Sequence, residues 1–205
     1  MASEEGTAER REERAAARVE AFSDGVMAVI ITIMAFNLKA PAGSSFKDMR
    51  AELPALLVYI LSFTYVGIYW VNHHHLLRAA RGINGAVMWA NLSVLFWLSL
   101  TPVMTEWVSK EYNHSLPAAA YGTVCLGAGV AYSVLVQALV RCNGKDSAVA
   151  RAIGDDRKGY ASLVIYLAAV LLSAIKPWIA YALYAGVALM WFIPDRRFSR
   201  QEDAE

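Results

Sequence analysis

The sequence predicts an all-α membrane protein whose subunit crosses the bilayer six times, with both termini in the cytoplasm. Three observations predict it. The 205 residues are 57% hydrophobic and only 18% charged, with a mean hydropathy of +0.36. A soluble domain carries about 25% charged and about 45–50% apolar residues. Six apolar stretches approach the roughly 20 residues that a spanning helix needs. The 19 Lys and Arg residues are shared unevenly between the two ends of those stretches. This composition excludes a disordered chain and argues against a soluble enzyme. A net charge of +1 gives no electrostatic basis for nucleic acid binding. The lipid bilayer is the expected partner, and 6 Trp and 10 Tyr suit its interfaces.

Each element follows in order. Residues 1–17 are expected as a cytoplasmic tail. Its mixed run Glu9 to Arg14 reads as a solvated helix extension or a frayed end. This opening is charged rather than apolar, so no cleavable signal peptide is expected. The first span is Val19 to Leu38, between Arg18 and Lys39. The second runs from Pro54 to about Leu77 and the third from about Gly85 to Val108. The fourth is Pro117 to Val140, ahead of Arg141. The fifth and sixth, Tyr160 to Ile175 and Trp178 to Ile193, are short, with a tight turn at Lys176-Pro177. A six-helix transmembrane domain over 18–194 and a cytoplasmic tail over 195–205 complete the chain. An even number of spans puts both termini on one side. That side holds 14 of the 19 basic residues, which places it in the cytoplasm. The expected location is the cell membrane. Cys125 and Cys142 lie too far apart on one helix, roughly 25 Å, to form a disulfide.

The informative residues are the few polar ones inside apolar spans. A charge inside a span costs about 2.5–3.5 kcal/mol on insertion scales and persists where it faces protein or water. Glu20 and Asp24 are spaced i, i+4 and share one face of the first span. Asp24 lies roughly 9 Å inside Arg18. The second span ends with Trp70-Val71-Asn72-His73-His74-His75, and His73 lies roughly 7.5 Å inside Arg78. Asn91 enters the third span to a similar depth. Three antiparallel helices therefore place Ser23, Asp24, His73 or His74, and Asn91 in one layer. His and Asn donors there can satisfy the carboxylate. A structural network pinning the first helix is the favoured reading.

The three adjacent histidines point in different directions, about 100° apart. A metal pair on a helix uses i, i+3 or i, i+4 spacing, so a structural role outranks proton sensing and a metal site. No metal and no cofactor is expected. Phe22, Gly25, Val29, Ile33 and Phe36 form an apolar stripe on the first span, with Val26 and Thr32 beside it. By itself the stripe reads as a lipid-facing or packing surface. No Thr-Val-Gly-Tyr-Gly filter occurs in the chain, so any ion conduction would use another construction. No Gly-x-Ser-x-Gly, phosphate loop or His-Glu-x-x-His occurs either, so no enzymatic arrangement stands out.

Arg18-Val19-Glu20-Ala21-Phe22-Ser23-Asp24 resembles the Arg-x-x-x-Phe-Ser-Asp hallmark of the transmembrane protein 175 family of potassium channels. Trp70 to His74, a Trp-x-x-His-His pattern, continues the resemblance. So do Asn91-Leu92, Leu95-Phe96 and Ser99-Leu100-x-Pro102 in the third span. The second half of the chain matches only in topology. The resemblance implies a bacterial homotetramer with one six-helix unit per subunit and a pore lined by the first helix. It implies K⁺ as the permeant ion and an apolar constriction in place of a carbonyl filter. Counted from the motif, the constriction falls on Val29, where Ile or Leu is usual. The next layers fall on Ile33 and Phe36, and a selectivity-associated Thr falls on Thr32. Arg18, Phe22, Ser23, Asp24, Trp70, His73, His74 and Asn91 would hold the pore helices. The alternative is a proton channel or proton-coupled transporter built on Asp24 and His73 to His75.

Overall fold

A computed structural model describes residues 2–154 and 156–192, with side chains from residue 14 onward. The described chain is all-helical. Its order is α1 (Ala2–Phe36), α2 (Phe46–Ala51), α3 (Leu53–Arg78), α4 (Gly85–Ser99), α5 (Thr101–Glu111), α6 (Ser115–Asn143), α7 (Ala148–Ile153), α8 (Arg157–Ser173) and α9 (Pro177–Phe192). Four stretches are long and apolar enough to cross a bilayer: 14–36, 53–78, 85–111 and 115–143. Helices α8 and α9, of 17 and 16 residues, are shorter than the roughly 20 residues of a full span. The expected tail 195–205 lies outside the described residues. Helix α1 runs without a break through the expected tail-to-span junction at Arg18.

The expected third span is not one unbroken helix. It divides at Leu100 into α4 and α5. Pro102 lacks an N–H and cannot bond back to Leu98, so the helix restarts there, with proline in its first turn.

The ends of the other elements have local causes. Ser45 and Asp48 form a capping box that starts α2. The Ser45 hydroxyl and amide hold the exposed Asp48 carboxyl below the usual carboxylate range. The cap's contribution is therefore full above that range and is lost as pH falls below it, through the lowered pKa of Asp48. The Asn84 side chain accepts from the Val87 amide at 3.0 Å and starts α4. Helix α6 stops at Gly144, whose φ of 95° suits a residue without Cβ. Just before it, Asn143 Oδ1 accepts from the amides of Arg81 and Gly82 at 2.9 and 2.8 Å. That side chain ties the α3–α4 connection to the end of α6.

Helix α6 is the central post. One core cluster, including Met27, Val66, Val94 and Leu135, joins α1, α3, α4 and α6. A second, including Tyr65, Val108, Tyr121, Ala169 and Tyr184, joins α3, α5, α6, α8 and α9. Small residues let the helices close on the post, as in packed membrane helices. A Cβ on Gly122 would land on the Tyr184 ring, and one on Gly127 on the Trp97 ring. The Tyr184 hydroxyl donates to the Ala118 carbonyl at 3.0 Å, and its own carbonyl accepts from the Tyr65 hydroxyl at 2.7 Å. A substitution at Gly122 therefore disturbs the buried bond from the Tyr184 hydroxyl to Ala118 as well as packing.

Gly122→Val is expected to destabilise the fold by about 1–3 kcal/mol through overpacking. Gly67→Ala, whose Cβ would meet open space, is expected to stay within about 0.5 kcal/mol of the parent. Thermal unfolding of the two variants in detergent checks the contrast.

Candidate functional site

Helix α1 presents two faces of opposite character. Ser23, Met27, Ile30 and Met34 are buried, at spacings of four, three and four that trace one helical stripe. That face packs on α3, α4 and α5. The opposite stripe stays open: Val29 is 56% exposed, Ile33 46% and Phe36 82%. Phe22, Gly25 and Thr32 are exposed beside them. A Cβ on Gly25 would meet nothing within 4 Å. The Thr32 hydroxyl donates to the Ala28 carbonyl of its own helix at 2.9 Å.

The buried face is set by a directed chain of hydrogen bonds. The Ser23 hydroxyl donates to the Val19 carbonyl at 2.8 Å. With that proton committed, Ser23 Oγ accepts from Asn91 Nδ2 at 2.9 Å. Asn91 Oδ1 then faces His73 Nε2 at 2.6 Å. A carbonyl oxygen only accepts, so His73 carries its proton on Nε2. All three side chains are buried, His73 completely. His73 Nδ1 is left as a buried acceptor with no partner among the described residues.

A second set lies one step round the helix. Glu20 and Asp24 meet His74 and Trp70 of antiparallel α3 as a two-rung ladder. His74 Nδ1 lies 2.7 Å from Glu20 Oε1, and the Trp70 indole N–H donates to Asp24 Oδ1 at 3.0 Å. The Trp70 and His74 rings stack with centroids 5.9 Å apart. The expectation that His or Asn would satisfy Asp24 needs correction: its donor is Trp70. Asp24 follows Ser23 by about 100° of helix rotation, which turns it from α4 toward α3.

Arg18 and Phe22 stand apart from these hydrogen bonds. They line a cleft between α1 and α4, with Val19, Met88 and Leu92. The histidines do not converge. His73 goes to Asn91, His74 to Glu20, and His75 lies edge-on to His74. Among the described residues, no three His, Cys, Asp or Glu side chains are grouped to hold a metal ion.

Sequence reasoning missed a second buried polar cluster at the other end of the bundle. Thr105 Oγ1 lies 2.7 Å from Ser62 Oγ and 2.8 Å from the Thr101 carbonyl. Ser62 Oγ lies 3.0 Å from Tyr121 OH, and Met34 Sδ is 3.7 Å from Thr105 Oγ1. The available signal was hydroxyl residues at matching depth in the second, third and fourth spans.

The family described as "Endosomal/lysosomal potassium channel TMEM175" matches residues 18–102, the stretch that carries the whole α1–α3–α4 network. A curated potassium channel from Chryseobacterium sp. (strain P1-3) is 46% identical over 183 residues, covering 89% of this chain and 95% of that one. The chain belongs to the TMEM175 family. The endosomal/lysosomal proton channel TMEM175 of Homo sapiens is 32% identical over 104 residues, covering 45% of this chain and 21% of that one. The crystal structure of a lysosomal potassium-selective channel TMEM175 homolog from Chamaesiphon minutus shares the fold. Its TM-score is 0.68 at 23% identity, over 88% of this chain and 97% of that one.

Removing Asn91 strands a buried imidazole donor, whereas removing the Trp70 indole N–H frees a partly exposed carboxylate that water can reach. Asn91→Leu is therefore expected to cost about 1–3 kcal/mol and Trp70→Phe less, because water replaces its bond to Asp24. Thermal unfolding of the purified variants checks the order, which is contradicted if Trp70→Phe is the more damaging.

Proposed function

We propose that this TMEM175 family member is a potassium-permeable cation channel in the cell membrane. In this reading it is a homotetramer in which α1 of each of four subunits lines a central pore. The observation that carries it is the two-faced α1. One face is pinned by buried polar bonds, and the other leaves Val29, Ile33 and Phe36 exposed. An apolar stripe alone fits lipid as well as a pore. A stripe on the helix of the family motif, with its rotation held by Ser23, Asn91 and His73, fits a pore better. Lipid contact needs no fixed rotation, whereas four identical rings do.

The subunit then has six crossings, made by α1, α3, α4 with α5, α6, α8 and α9, and both termini face the cytoplasm. The distribution of Lys and Arg supports that orientation. The two short helices α8 and α9 pack on α6 and α3, so protein covers part of their surface.

Four copies of Val29, one turn apart from four of Ile33 and two turns from four of Phe36, make stacked apolar rings. Such rings block ions by dewetting and open on a small rotation or dilation. Thr32, one turn past Val29 on the same helix, supplies a hydroxyl beside the rings. Apolar rings offer no ligands, so discrimination rests on the cost of partial dehydration. K⁺ sheds water more cheaply than Na⁺, which favours a modest K⁺ preference. Arg18, Phe22, Asp24, Trp70 and His74 act on helix placement and not on the ion.

A second reading, proton permeation, is favoured by the mammalian relatives, which are named proton channels. A wetted apolar pore also carries protons along its water file. In this form the reading uses the stripe, because His73 is fully buried away from it.

Val29→Ala and Ile33→Ala are expected to raise single-channel conductance and reduce K⁺ over Na⁺ preference, with the tetramer intact. Recordings in planar bilayers under K⁺/Na⁺ bi-ionic conditions test this; unchanged currents in both variants would remove the stripe as the gate. A proton current that survives replacement of K⁺ by an impermeant cation would support the second reading.

A further inference from the structure

A cleft opens on the flank of α1, between it and α4, at the end that carries Arg18. It holds about 390 Å³ of free space. One water needs about 10–15 Å³ by the same measure, so a few ordered waters do not fill it. Val19, Phe22, Met88 and Leu92 make its wall apolar, and the last three are exposed. Two polar groups border it. The exposed Arg18 guanidinium has no hydrogen bond or ion pair among the described residues. Asn91 is 2% exposed and reaches the same wall. Its Oδ1 meets His73 and one amide proton goes to Ser23, so its second amide proton is uncommitted among the described residues. No Asp or Glu is among the described residues that line the cleft.

The order of these groups along the cleft selects the occupant. Arg18 stands just outside the apolar run of the first span, at the level of lipid headgroups. Asn91 bonds Ser23, which lies roughly 7.5 Å further along α1. A positive charge followed inward by an amide donor in an apolar wall matches a phospholipid's phosphate, ester carbonyl and acyl chain. Guanidinium groups bind phosphate oxygens in pairs, and basic recesses between membrane helices hold anionic headgroups. Arg14, one turn outward on the same face, is also exposed. It adds a second positive charge, which repels the cation of a zwitterionic headgroup. A free phosphate would leave the apolar wall unused. A second copy of the chain offers Arg18 no free anion from the matching level of α1, because Glu20 and Asp24 are committed to His74 and Trp70.

We propose that the α1–α4 cleft seats one anionic phospholipid. Its phosphate meets Arg18, an ester carbonyl accepts the second Asn91 amide proton, and an acyl chain lies against Phe22, Met88 and Leu92. The site does not rest on the channel reading. It accounts for Arg18 and Phe22, which belong to the motif of the first span yet take no part in the α1–α3–α4 hydrogen bonds: they hold α1 through the lipid.

Native mass spectrometry of the purified full-length protein in detergent tests the proposal, with phosphatidylglycerol as probe and phosphatidylcholine of the same acyl chains as control. Saturable binding of phosphatidylglycerol is expected, about tenfold tighter than that of phosphatidylcholine. Arg18→Gln is expected to weaken phosphatidylglycerol binding about tenfold. Met88→Trp fills the cleft from an exposed position and is expected to weaken binding by a similar factor with Arg18 in place. Arg141 lies outside the cleft at the same end of the bundle, two residues before Asn143, which bonds the α3–α4 connection. Arg141→Gln is expected to bind within about twofold of the parent, which separates a seated lipid from general attraction to a basic surface. Equal binding of the two lipids by the parent, which needs no variant, overturns the proposal. So does an Arg18→Gln protein that binds like the parent, or an Arg141→Gln protein that loses as much as Arg18→Gln. No lipid binding by the parent also overturns it and leaves the cleft to a neighbouring copy.

Discussion

The rotation of α1 about its own axis is the constraint on which the rest of the structure depends. A helix advances about 100° per residue, so a small change of rotation exchanges its buried and open faces. Val29, Ile33 and Phe36 are open because Ser23, one residue before Asp24, is bonded to Asn91 of α4. Asn91 is in turn bonded to His73 of α3. Each bond leaves the next atom one role only, which makes the chain directional. Slipping α1 round would break it and leave buried donors without partners, a penalty that apolar packing alone does not impose.

Polar contacts hold the apolar half of α1 near both of its ends, and apolar packing fills the length between. Glu20 and Asp24 pair with His74 and Trp70 near one end, and Met34 rests on Thr105 near the other. Between them Met27 and Ile30 pack into the core. This arrangement suits a helix that must stay fixed on one side while its other side faces whatever the bundle does not supply. The break at Leu100 belongs to the same design. Helix α5 starts after it and brings Thr105 to Ser62 and Tyr121, a second polar contact across three elements.

The layer of Ser23, His73 and Asn91 was legible in the sequence because helical rise is regular. Depth can be counted from the flanking arginines, and antiparallel neighbours share a level. Partner choice within the layer was not legible. His73 and His74 are adjacent, and only the packing of α3 against both α1 and α4 sends one to Asn91 and the other to Glu20. Asp24 illustrates the same point, since its depth suggested His or Asn and its direction gave Trp70. The cluster of Thr105, Ser62 and Tyr121 escaped because hydroxyls are cheap to place in a helix, where each can bond its own backbone.

The sequence by itself determined that this chain is helical and membrane-suited, and that the polar motif on its first span marks a special helix. Composition, span length and the placement of charge act locally or as sums, so one dimension suffices to read them. Tertiary structure alone decided which side of α1 is buried, which partner each polar side chain of the α1–α3–α4 layer takes, and which aromatic side chains, Tyr69, Tyr132 and Trp191, meet round one internal cavity. Those outcomes depend on residues up to 119 positions apart, as in the bond from Tyr65 to Tyr184. Only the packed bundle brings such partners within hydrogen-bond reach.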